Sequence, residues 1–144
     1  MFNGRFYIGW LLSATLMYLA FYIFHGILTN DLLKLTLPKS VFLSVAAFVY
    51  LTIAFGMSLL FKSSTLKKNI KQPYKRSLLI GTCAALFLYA VAFVVGVSFS
   101  YQVTLLNAIV DIGWQLIEQN LGAVVVTIAN TLLYREEETF VNFM

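Results

Sequence analysis

The 144-residue chain is 60% hydrophobic and 11% charged, with a net charge of +4. That is far more apolar side chain than a soluble domain of this length can bury, and the charges collect in short stretches between uncharged runs of more than 20 residues, which excludes an ordinary soluble fold. The single cysteine, Cys83, excludes a disulfide framework and a cluster of soft metal ligands, and the basic residues lie beside apolar runs where anionic lipid headgroups account for them, so nucleic acid is not an expected partner.

A membrane helix needs about 20 apolar residues, because every backbone polar group inside the bilayer must be satisfied within the segment. The first such stretch is residues 6–28, uncharged apart from His25. It is longer than the 7 to 15 residues of a signal-peptide core and no small-x-small cleavage pattern follows, so it is read as a retained helix. Tyr18, Tyr22 and His25 recur at i, i+4 and i+7 on one of its faces. A connection over residues 29–40 carries Asp31, Lys34, Pro38 and Lys39, and a second span follows at 41–61.

The next connection, 62–76, holds Lys62, Lys67, Lys68, Lys71, Lys75 and Arg76. Lysines and arginines near span ends stay on the cytoplasmic side. Alternation then places Arg5, Arg135 and both termini in the cytoplasm as well, with 29–40 and 100–104 outside. Pro38 and Pro73 fall in connections, where a lost amide proton breaks no helix. The third span, 77–99, offers small residues for close packing at Ala92, Gly96 and Ser100 and, one stripe away, at Gly81 and Ala85. Tyr7, Trp10, Tyr101 and Tyr134 near span ends are read as interfacial anchors.

The fourth span, 105–134, is the polar one. Asn107, Asp111, Trp114, Gln115, Glu118 and Gly122 fall on a single helix face, with Gln119 flanking it and Asn120 pointing away. In antiparallel helices His25 and Asp111 lie at similar depth, about 5 to 9 Å below the outer surface at 1.5 Å per residue, and Tyr18 and Glu118 meet near the midplane. The expected pairs are therefore His25 with Asp111 and Tyr18 with Glu118. One reading of this cluster of His25, Asp111, Gln115, Glu118, Tyr18, Tyr22 and Trp114 is hydrogen-bonding glue, worth about 0.6 to 2 kcal/mol per bond. The other is a carboxyl–imidazole pair that binds and releases a proton. His25 is also a candidate axial ligand for a haem or pigment. No metal site is assigned, because no spacing such as HxxxH brings ligands together, and no catalytic residue is assigned, because no glycine-rich phosphate loop or nucleophile motif is present.

The segments FHGILTNDLL and DIGWQLIEQNLG resemble parts of small four-helix bacterial membrane proteins, a resemblance that implies the architecture and no activity. The expectation is one domain, an all-α four-helix transmembrane bundle with short loops. It is placed in a bacterial cytoplasmic membrane, since the short basic start lacks a transit-peptide composition. Its expected partners are membrane lipids and other membrane subunits or further copies of itself. The expected role is a non-catalytic structural or assembly subunit of a larger membrane complex; the alternative is a small proton- or cation-coupled transporter or channel, as a monomer or homodimer.

Overall fold

The computed structural model describes residues 4–29, 32, 38–99 and 104–141, with side chains described for all of these except 95–99 and 132–141. The expectations for Asp31, Lys34, Ser100, Tyr101, Tyr134 and Arg135 lie outside the described side chains, as does Gly96.

The described chain is helical, with no strand among the described residues. Helix α1, Gly4–Phe21, runs without a break into a π-helical segment, Tyr22–Leu28. The wider turn is visible where the Thr29 amide donates to the carbonyl of Phe24 at 2.9 Å, five residues back. Helices α2 (Lys39–Lys62), α3 (Ser64–Asn69), α4 (Pro73–Phe99) and α5 (Leu105–Val141) follow.

Local chemistry sets the helix ends. Pro38 immediately precedes α2 and Pro73 occupies the first position of α4, where the absent N–H is one that no intrahelical carbonyl would have used. Between α2 and α3, Ser63 adopts an extended ψ of 128° and interrupts the helix. The basic stretch 62–76 is thus not a plain loop, since α3 forms within it. Its arm is tied back to the bundle by Arg76, whose guanidinium lies 4.3 Å over the Phe61 ring and whose Nη1 donates to the Ile70 carbonyl at 3.4 Å.

Three segments are long and apolar enough to cross a membrane: Gly4–Leu28, Lys39–Lys62 and Pro73–Val94. Helix α5 is long enough but is interrupted by Asp111, Gln115, Glu118, Gln119 and Asn120, and it does not join that group. Large apolar side chains cover the outside of the bundle, Phe48, Phe87 and Leu12 among them.

Helix α5 packs against α4 on one side and α1 on the other and reaches α2 across the interior; α2 in turn contacts α1 and α4. The core between them contains Met17 and Phe21 of α1, Tyr50 and Met57 of α2, Ile80 of α4 and Val126 of α5. Small residues set the closest crossings. Gly122 of α5 lies beneath Met17 and Ser13 of α1, whose Oγ donates to the Gly122 carbonyl at 2.9 Å. Gly81 of α4 lies against the backbone of α5 at Asn120. Of the two small-residue stripes expected on the third span, the one through Gly81 and Ala85 is buried, while Ala92 is exposed.

Trp10 is more than an anchor. Its indole N–H donates to the Leu51 carbonyl at 2.7 Å and its ring meets Phe55 edge-on at 5.4 Å, joining α1 to α2. Trp10→Phe keeps the ring contact and removes the bond. It is expected to lower stability by about 0.5–1.5 kcal/mol, read from reversible unfolding in detergent.

Candidate functional site

Helix α5 has neighbours on three sides, and one turn of it carries the buried polar residues. Glu118 is 1% exposed and Gln119 is 0% exposed. The Gln119 amide donates from Nε2 to Oε1 of Glu118 at 3.1 Å. The Tyr50 hydroxyl of α2 also faces this carboxyl. So does the indole N–H of Trp114, which is close enough to act on the carboxyl but lacks the geometry of a formed hydrogen bond.

Aromatic rings enclose the carboxyl. Phe24, on the π-helical segment, stacks flat on Trp114 at 4.4 Å with an interplanar angle of 8°. Tyr50 packs against Phe21 at 5.5 Å and Tyr18 at 6.2 Å. Towards α4, Asn120 donates to Thr82 Oγ1 at 3.3 Å and to the Leu116 carbonyl at 2.8 Å. Two buried oxygens here, Gln119 Oε1 and Asn120 Oδ1, have no hydrogen-bond partner. More than nine in ten buried polar groups in folded proteins are satisfied, so each of these oxygens calls for an explanation.

The residues singled out in the sequence are distributed around this centre. Glu118 and Trp114 are in it. Tyr18 stands one ring away, its hydroxyl donating to the Leu43 carbonyl at 3.4 Å, and the tyrosine that faces Glu118 is Tyr50. His25 is half-buried, its ring 5.1 Å from Phe21 and 5.0 Å from Phe24. Gln115 is half-buried, whereas Asn107, Asp111 and Tyr22 are exposed. The polar stripe therefore runs from open to buried along α5, beginning at Asn107 and Asp111 and closing at Glu118. No group of three or more His, Cys, Asp or Glu comes together among the described residues.

Two members of the site were not singled out. Gln119 flanks the polar stripe in the sequence, and it joins the site because α5 is covered by α1, α2 and α4. Tyr50 sits in an uncharged run with no polar neighbour to mark it; its signal was depth, since it lies midway along its helix, as Glu118 does along the fourth span.

The chain matches no protein-family model, and neither a curated protein nor a solved structure shows significant similarity to it.

Proposed function

We propose that the chain is a four-span membrane protein, crossing the bilayer with α1 and its π-helical extension, α2, α4 and α5, and that it serves as a non-catalytic subunit of a larger membrane complex. Three apolar helices supply three of the crossings. Helix α5 supplies the fourth, because Glu118, Gln119 and Thr127 are buried against the other three. The basic segment 62–76 faces the cytoplasm, where lysine-rich connections are retained.

The observation that carries the subunit reading is the face of α5 near its start. Asp111 is exposed there, along with Leu105, Leu106 and Ile109, the first of these leucines 79% exposed. An acidic side chain on an apolar outer surface is costly at membrane depth and is covered by protein rather than by lipid tails. A neighbouring subunit packed on this face covers Asp111 together with Leu105, Leu106 and Ile109.

Mild solubilisation from the native membrane followed by native mass spectrometry tests this. The wild-type chain is expected within a particle heavier by one or more defined partners, and Asp111→Lys is expected to release them. A wild-type chain that runs alone overturns the reading. A particle of only two copies favours the second reading, a small proton- or cation-coupled transporter or channel, which draws on the same stripe narrowing from Asp111 to Glu118. The subunit reading ranks first because Glu118 is closed off within the bundle.

A further inference from the structure

We infer that Glu118 and Gln119 form a neutral acid–amide pair, so that the centre of the bundle holds a proton. This inference does not rest on the subunit reading.

Three observations carry it. The first is the company of the carboxyl: Tyr50, Trp114 and Gln119 are all neutral, and Glu118 is almost wholly enclosed. A buried carboxylate without a cation is far costlier than the corresponding acid, and a group placed this way takes up a proton instead. Among the described residues, the groups that act on the carboxyl include no cation. Helix α2 presents Tyr50, α1 presents Tyr18 against Tyr50, and the π-helical segment holds His25 against the rings of Phe21 and Phe24. Asp111 lies about two turns along α5, and residues 77–99 of α4 contain no charge.

The second observation is the unpartnered Gln119 Oε1, inside a residue with no exposure. A primary amide offers two donors and one acceptor, an ionised carboxylate only acceptors, and a carboxylic acid one donor as well. With Gln119 Nε2 already donating to Glu118 Oε1, a proton on the second carboxyl oxygen gives Oε1 of the amide the donor it lacks. Of the two states of the carboxyl, only the acid has a donor to offer the enclosed amide. Nitrogen and oxygen of an amide are interchangeable in assignment. Turning the amide over places its oxygen 3.1 Å from Glu118 Oε1. With the amide turned over, a proton on the carboxyl makes that oxygen–oxygen contact a hydrogen bond, whereas a carboxylate leaves two acceptors facing each other.

The third observation is the enclosure. Phe24 stacks flat on Trp114, whose indole faces the carboxyl, and Glu118 and Gln119 are exposed by no more than 1%.

Infrared difference spectroscopy on the full-length chain in lipid vesicles at neutral pH tests the pair directly. Subtracting Glu118→Gln from wild type is expected to leave the carbonyl stretch of a protonated carboxyl. Carboxylate bands in that difference overturn the proposal. Gln119→Leu keeps Glu118 but removes the amide, and is expected to shift the acid band to higher frequency as the hydrogen bond is lost; an unmoved band overturns the pairing. It also serves if Glu118→Gln does not fold. As a chemical check, dicyclohexylcarbodiimide adds the carboxyl O–H across one C=N bond and rearranges to an N-acylurea, with no leaving group. The expected product is one whole reagent mass on the peptide containing Glu118, and none on that peptide in Glu118→Gln. A chain found to be solitary yet carrying the acid band loses the subunit reading and keeps this one.

Discussion

Gly81→Ala is expected to destabilise the protein by about 1–3 kcal/mol, the range for overpacking a tight interface, and Gly81→Leu to prevent folding. A Cβ at residue 81 would lie 2.7 Å from Asn120 Oδ1, 2.9 Å from Asn120 Cα and 3.0 Å from the Gln119 carbonyl; the side-chain oxygen can turn aside, but the two backbone atoms of α5 cannot. Gly122 is also crowded, but by the side chains of Met17 and Ser13, with Met17 Cγ at 2.7 Å and Ser13 Oγ at 2.9 Å. Methionine is flexible, so Gly122→Ala is expected to cost less than Gly81→Ala. Gly113, with nothing within 4 Å, is the control: Gly113→Ala is expected to be neutral or to stabilise by up to about 1 kcal/mol through helix propensity. Reversible unfolding of the three variants in one detergent gives the order. Equal effects at 81 and 113 would mean that helix propensity, not the α4–α5 approach, sets the outcome. Because Gly81 presses on the residues next to Glu118, any variant that moves α5 there should also disturb the infrared signature of the acid.

This approach was legible in the sequence only in part. The small residues Gly81 and Ala85 announced a packed stripe, and hydropathy marked three membrane-length helices, because an apolar run of more than 20 residues has few other uses. The fourth helix was harder. Its charge and amides depress its hydropathy, yet the periodicity of Asn107, Asp111, Trp114, Gln115 and Glu118 revealed a face. Periodicity shows which residues share a face, not how much of it is covered. Asp111 and Glu118 are seven residues apart on the same stripe, one exposed and the other enclosed, because coverage depends on where the other helices end. The π-helical turn at Tyr22–Leu28 left no mark in the sequence. It carries Phe24, whose stacking on Trp114 arises from tertiary contact. Tyr50 was hidden for the opposite reason, since a lone tyrosine in an apolar run looks like packing until the helix across the bundle supplies its carboxyl.

Replacing Glu118 separates the two energetic roles such a residue can have. If its bonds act as ordinary intramembrane glue, Glu118→Leu removes an interaction averaging about 0.6 kcal/mol and the fold hardly notices. The surroundings argue for more. Gln119 is wholly enclosed, and with a leucine side chain in place of the carboxyl neither end of its amide retains a partner, while the Tyr50 hydroxyl loses the group it faces. Each buried polar group orphaned in this way costs about 1–3 kcal/mol, so a loss of about 2–5 kcal/mol is expected for Glu118→Leu. Glu118→Gln preserves shape and hydrogen-bonding capacity and is expected to cost less than about 1 kcal/mol. The contrast is sharpened by adding Tyr50→Phe to each background. With Glu118 present the tyrosine change is expected to destabilise; in the Glu118→Leu background it should be nearly silent, giving a coupling energy of about 0.5–3 kcal/mol. A coupling near zero would place Tyr50 among the packing residues and leave Gln119 as the sole partner of the carboxyl. Glutamine and leucine variants of equal stability would mean that the enclosed amide finds another partner once Glu118 is gone, and that glue is the whole of the role this carboxyl plays in the fold.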